Sequence, residues 1–280
     1  MHNPLFIYYF YNMLTISTVE RLKHFLFLSL VPFSLFLVSL AYGQEYEKHN
    51  YITNDVELPY RILLPEGYEE GSQKKYPLVV FLHGIGERGS DNELQLVHCS
   101  SFFKKDFFRE KWPSIVIYPQ CPSDSHWTKV KKRFPRPYKF YKRKRKNKQL
   151  DVLEDLIQYV ENTYPINKNQ IYIGGLSMGG MGTLEMIFRN PNKFAAAFSF
   201  CGGADPGWSR KIKSTPLWLM HGEKDDVISY KFSKELYNAL LQKKANVKYT
   251  HFPNHGHVVW NAAIEEKNLF PWLFSHKRTQ

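Results

Sequence analysis

The stretch Gln170-Ile171-Tyr172-Ile173-Gly174-Gly175-Leu176-Ser177-Met178-Gly179-Gly180 decides how the rest of the chain is read. Its first four residues form a short β-branched and aromatic run, the pattern of a buried strand, and the residues on to Arg189 read as a helix. Between them lies Gly-x-Ser-x-Gly, from Gly175 to Gly179. A serine on a strained strand-to-helix turn requires this spacing, because only glycine two residues to either side lets strand and helix approach closely. Alone, the pattern arises by chance in roughly one chain in ten of this length. The strand before it and the helix after it give it weight here.

Working outward, apolar runs rich in Val, Ile, Tyr and Phe predict further buried strands over 78–82, 115–118, 195–200, 217–220 and 247–252. Helical periodicity lies between them. Leu150, Leu153, Leu156, Ile157 and Val160 recur at three- and four-residue steps, as do Phe232, Leu236, Leu240 and Leu241. Strands alternating with helices predict a doubly wound, mostly parallel α/β sheet with helices on both faces, and residues 60–64 read as an earlier antiparallel edge strand. In such a sheet ligands bind where the strands end, at their carboxyl edge.

A serine attacks a carbonyl only with help from a base and an orienting acid, here expected in the chain order Ser, Asp, His. The strand over 217–220 runs into His221-Gly222-Glu223-Lys224-Asp225-Asp226, and that over 247–252 is followed by Asn254-His255-Gly256-His257. Asp225 is chosen over Asp226 and His257 over His255, so the candidate catalytic residues are Ser177, Asp225 and His257. An oxyanion needs two backbone donors. The N–H of Met178, after the nucleophile, is one; the loop His83-Gly84-Ile85-Gly86-Glu87-Arg88-Gly89 supplies the other, assigned to Ile85. Trp127, Trp208 and Trp260 fall in loops near strand ends, where a ring stacks on a sugar or a phenolic acyl group.

Composition bounds these readings. The chain has 280 residues, 43% of them hydrophobic, with no internal repeat, which excludes disorder, collagen and coiled coil. Its net charge of +12 comes from one place: twelve basic residues and no acid lie between Lys129 and Lys148, with Phe134, Tyr138, Phe140 and Tyr141 interleaved. That insertion suits a polyanion such as an acidic polysaccharide, or else forms a solvated loop. Arg21, Lys23 and His24 precede an uncharged apolar run over 25–40 and then Ala41-Tyr42-Gly43, the order of a signal peptide cleaved before Gln44. Residues 1–43 are thus a leader starting at Met1 or Met13, and 44–280 one domain, secreted or periplasmic; the alternative is an uncleaved anchor. Export argues against a nuclear role for Lys142 to Lys146, and no specific nucleic acid partner is expected. Three cysteines allow at most one internal disulfide.

Together, the segment from Leu82 to Gly89, the elbow from Gly174 to Gly180, His221-Gly222 with Asp225, and Gly256-His257 followed by Trp260 resemble the α/β-hydrolase superfamily. The likeness is strongest to its secreted esterase branch of phospholipase/carboxylesterase-like proteins, feruloyl esterases and polyhydroxybutyrate depolymerases, and it covers about residues 60–274. It implies Ser177 as nucleophile, Asp225 as acid and His257 as base, acting on an ester and using no cofactor and no metal. The expected substrate is an acetyl or feruloyl ester on polysaccharide. The insertion between Trp127 and Leu150 departs from the family pattern, and the short link between Gly203 and Pro216 leaves no room for a large lid. The rival readings are a serine peptidase of the same fold and a catalytically silent module that binds carbohydrate or polyanion.

Overall fold

The described residues of the computed structural model are 45–53, 56–131, 138–142 and 145–278. The expected leader, its expected cleavage point and Met13 lie outside them. In chain order the strands are β1 (Glu47–Thr53), β2 (Val56–Leu63), β3 (Tyr76–Leu82), β4 (Ile115–Pro119), β5 (Val130–Lys131), β6 (Lys139–Phe140), β7 (Ile166–Leu176), β8 (Ala196–Phe200), β9 (Leu217–Gly222) and β10 (Val247–Phe252). Eight of them form one sheet in the order β1-β2-β4-β3-β7-β8-β9-β10, while β5 and β6 pair as a small antiparallel ribbon. From β4 to β10 every neighbouring pair in the large sheet is parallel.

Residues 60–64 were expected at the sheet's edge. β2 is antiparallel as expected, but β1 lies outside it, registered from Glu47 opposite Ile62 to Thr53 opposite Val56. The sequence of β1 has no apolar run. Its residues alternate half-buried and exposed, the signature of an edge strand with one wet face.

Strand periodicity divides the core in two. Leu78, Val80 and Leu82 of β3 face one side with Ile171 and Ile173 of β7, whereas Val79, Phe81 and Tyr172 face the other. Helices α3 (Lys148–Thr163), α4 (Met178–Arg189) and α6 (Lys231–Leu241) cover the first face. The second is covered by α1 (Ser100–Phe103), α2 (Asp106–Lys111), α7 (Trp260–Ile264) and α8 (Leu269–Ser275), largely through Phe102, Phe103, Phe108 and Phe270. Helix α3 buries the predicted stripe of Leu150, Leu153, Leu156, Ile157 and Val160, each contributing about 1.5–3 kcal/mol. Asn147 begins it by accepting from the Gln149 amide. After β8 the chain makes only a short turn and α5 (Ser209–Ile212) before β9. The parallel strands therefore end together at one edge, and no large lid follows β8 among the described residues.

Candidate active site

Ser177 follows the last residue of β7 and precedes α4, with φ 53° and ψ −117°. A non-glycine residue held at positive φ costs on the order of 1–3 kcal/mol, so its surroundings must impose it. They do so through the Ser177 amide, which donates to Phe200 O at 2.9 Å, and the Ser177 carbonyl, which accepts from the Met181 amide at 3.0 Å. The flanking glycines have a steric reason. A Cβ on Gly175 would lie 2.5 Å from the carbonyl oxygen of Leu82, and one on Gly179 would run into the same peptide group. The elbow packs backbone on backbone against β3.

Three side chains from three strand ends meet there. Ser177 Oγ lies 2.9 Å from His257 Nε2, and His257 Nδ1 lies 2.8 Å from Asp225 Oδ2. Asp225 is fixed at its other oxygen, where Oδ1 accepts from the amides of Val227 at 2.9 Å and Ile228 at 2.7 Å. Burial alone would raise its pKa, but hydrogen bonds from His221, His257 and the Ile228 amide outweigh burial and hold it well below the usual carboxylate range. The carboxylate is thus charged, directional and aimed at the imidazole. The neighbouring Asp226 and His255 are exposed and outside this chain of hydrogen bonds.

The loop expected to carry the second oxyanion donor is held as tightly. His83, buried at the end of β3, has Nδ1 2.6 Å from the Gly84 carbonyl oxygen, and its Nε2 accepts from the Cys121 amide at 2.9 Å. In a trans peptide the carbonyl and the following N–H point opposite ways. Fixing Gly84 O therefore fixes the Ile85 N–H away from His83. The Arg88 guanidinium takes the Ile85 carbonyl at 3.0 Å and Ser125 O at 3.1 Å, clipping the loop to the segment after β4. Met178 opens α4, where a first-turn amide has no partner within its helix.

These groups open into a cleft of about 680 Å³. Ser177, Met178 and His257 line it together with Ile85, and Val130 and Tyr138 form part of its wall. The basic insertion therefore borders the site, and its described parts are anchored. Phe140 is buried and meets Phe232 edge-on at 5.2 Å, packing with Met181 and Ile228. Arg145 O accepts from Arg189 at 2.6 Å. Lys129 and Lys148 also line the cleft, and neither forms an ion pair among the described residues.

The three tryptophans require correction. Trp127 is fully buried between His83 and α4, its Cβ against Gly182, and is core. Trp208 stacks on Phe188 at 4.4 Å and donates its indole N–H to Tyr141 O at 2.8 Å, so it holds the insertion down. Trp260 is buried, its ring meets that of His257 edge-on at 5.6 Å, and it is not among the residues that line the cleft. Sequence reasoning gave no role to His221, whose Nε2 lies 3.0 Å from Asp225 Oδ2; the His221-Gly222 pair at the end of β9 was the available signal for it.

Cys99, Cys121 and Cys201 are all buried and free, so none is in a disulfide. Among the described residues, Cys201, Asp225 and His257 lie close enough to share an ion. Burial pushes the Cys201 thiol well above its ordinary pKa and the other two are bonded to each other, so this set is a protonated thiol beside an occupied pair.

A profile of the phospholipase/carboxylesterase family matches residues 67–270. The chain is 33% identical over 155 residues to a bifunctional acetylxylan esterase/xylanase of Neocallimastix patriciarum, covering 55% of this chain and 20% of that protein. It is 25% identical over 208 residues to acyl-protein thioesterase 1 of Candida albicans, covering 67% and 86%. In structure it is similar to a thermostable esterase, with TM-score 0.76 and 33% identity over 84% of this chain and 64% of that one. A ferulic acid esterase of Anaeromyces mucronatus shares the fold at TM-score 0.59 and 19% identity, covering 79% and 86%. The chain thus spans about a fifth of the first relative and less than two thirds of the thermostable esterase. With the profile covering most of the sheet and all three strand ends of the site, the chain belongs to the phospholipase/carboxylesterase family of the α/β-hydrolase fold.

Proposed function

We propose that this protein is a serine esterase, and the observation that carries the reading is the Ser177–His257–Asp225 relay at the floor of an open cleft. Ser177 Oγ attacks the ester carbonyl carbon as His257 Nε2 takes its proton, and Asp225 stabilises the imidazolium that forms. The amides of Met178 and Ile85 receive the oxyanion, a contribution of about 3–4 kcal/mol per donor. Collapse expels the alcohol, protonated by His257, and water then cleaves the acyl-serine by the same steps.

The favoured substrate is an acetyl or feruloyl ester on an exported polysaccharide. Three features support this choice. The sequence over 1–43 reads as an export leader; the cleft is open; and its wall combines Tyr138 and Tyr141 with the cations Lys129 and Lys148, a surface suited to a sugar bearing carboxylates. The test is turnover of aryl acetate, feruloyl ester, acyl thioester and peptide anilide by residues 44–280 beside Ser177→Ala. Ester hydrolysis that disappears in the variant supports the reading. Preference for the anilide would point to a peptidase, preference for the thioester to a thioesterase, and equal inertness of both proteins on all four would sink the catalytic reading.

A further inference from the structure

Asp225 serves two histidines. Besides accepting from His257, its Oδ2 faces Nε2 of His221, which is fully buried and also lies 2.8 Å from the Ile228 carbonyl oxygen. On the other side of the ring, His221 Nδ1 is 2.7 Å from Ser233 Oγ, and Ser233 donates to the Gly202 carbonyl oxygen at 2.6 Å. The protons in this row can be counted. Gly202 O has none to give, so it takes the single hydroxyl proton of Ser233. The contact between Nδ1 and Oγ then requires a proton on Nδ1. Nε2 faces a carboxylate and a carbonyl, both acceptors, and requires one as well. A neutral imidazole carries one N–H, so one contact would set lone pair against lone pair in a site with no water access.

We infer that His221 is held as a buried imidazolium paired with Asp225, and that it is a positioning residue that sets the basicity of His257 by sharing the carboxylate's charge. The inference rests on the reading of Ser177, His257 and Asp225 as the catalytic relay. The groups facing this pair are few. Ser233 comes from α6, Gly202 O from the loop after β8 and Ile228 O from the loop after β9. The nearby Cys201 thiol and Tyr138 phenol are both shifted upward, mainly by burial, and stay uncharged at neutral pH. Asp225 is therefore the one anion described beside the ring.

The pair has a catalytic consequence. A carboxylate facing one imidazole gives it its whole charge, and the proton on that imidazole is correspondingly hard to remove. With His221 taking a share, His257 remains the free base to lower pH. Four donors also occupy Asp225, two amides on Oδ1 and two imidazoles on Oδ2, so the carboxylate has no room to rotate away from His257.

The test is His221→Gln, whose amide nitrogen reaches the place of Nε2 and so keeps a donor for Asp225 while removing the charge, read as the pH profile of kcat/KM on an uncharged aryl acetate beside wild type and Ser177→Ala. The expected result is an acid limb displaced upward by about one pH unit, the lower end of the shift that a nearby charge produces. Activity lowered by the same factor at every pH, with the limb unmoved, would show a merely structural histidine and overturn the proposal. Nitrogen-15 NMR of the His221 ring in the unmodified protein gives an answer even where the variant fails to fold. Both ring nitrogens carrying protons from about pH 5 to 8 supports the imidazolium, and one bare nitrogen refutes it. If Ser177→Ala retained full activity, the catalytic reading would fall while the NMR result still decided the charge of His221.

Discussion

Lowering the pH from about 7.5 to about 5 should loosen this fold through His83, and the size of the effect follows from its surroundings. The ring is 1% exposed. Nε2 accepts the Cys121 amide, so the single proton of the neutral ring sits on Nδ1 and meets Gly84 O. Burial pushes the pKa down from 6.5 to about 4, against the opposing pull of the Gly84 carbonyl and with a further push from Arg88. Between these values the unfolded chain binds the proton and the folded one does not, so stability rises with pH. The contribution is complete above about pH 6.5 and is lost as pH falls toward about 4. At about pH 5 the loss is roughly 2 kcal/mol, from 1.36 kcal/mol per unit over the 1.5 units crossed. The assay is urea unfolding at both pH values for wild type and His83→Asn, which places a neutral amide at the position. His126 and His276, whose pKa values burial also lowers, titrate alike in both proteins and cancel. The drop in unfolding free energy should be about 2 kcal/mol smaller in the variant. An equal drop in the two would refute the assignment of the acid sensitivity to His83. Since His83 also aims the Ile85 peptide, its protonation in the folded protein, near pH 4, should slacken the loop that carries Ile85.

Other expectations concern the elbow, the core and the insertion. Gly179→Ala drives a Cβ into the Leu82 peptide group, and α4 must leave β3; the expected cost is about 3 kcal/mol or more, read by urea unfolding or as loss of soluble protein. Trp127→Ala should cost about 3–5 kcal/mol as a core cavity, while Trp127→Phe lowers the melting temperature and leaves KM for aryl acetate unchanged. A raised KM at unchanged melting temperature would return Trp127 to the substrate side. Lys129→Gln with Lys148→Gln should raise KM several-fold for an acetyl ester on a uronate-bearing saccharide and leave a neutral ester untouched, and the difference should vanish near 1 M salt. A rise that survives salt would point to packing instead of charge.

What the sequence disclosed and what it hid divide along a physical line. The elbow was legible because Gly175 and Gly179 have no alternative: any Cβ there meets backbone, and the constraint is written into adjacent residues. The strands of the sheet's interior were legible because both faces are covered, so β3, β4, β8 and β9 read as largely apolar runs. β1 was hidden since one of its faces is wet, so its residues alternate half-buried and exposed and leave no apolar run to read. The tryptophans were misread for a related reason. A loop position near a strand end is compatible with either surface of the loop, and only the tertiary packing of Trp127 on Gly182 or Trp208 on Phe188 settles which. In the insertion, the charge run masked Phe140, the side chain that seats it. Charge describes where a segment meets solvent, whereas a single buried ring decides where it is fixed. His221 combines both difficulties: the His221-Gly222 pair marks a strand end without assigning a role, and the contacts of the ring exist only because α6 brings Ser233 to one side of it and the loop after β9 brings Asp225 to the other. Contacts of that kind carry no local signature, so the residues that tune a site are harder to read from sequence than the residues that perform its chemistry.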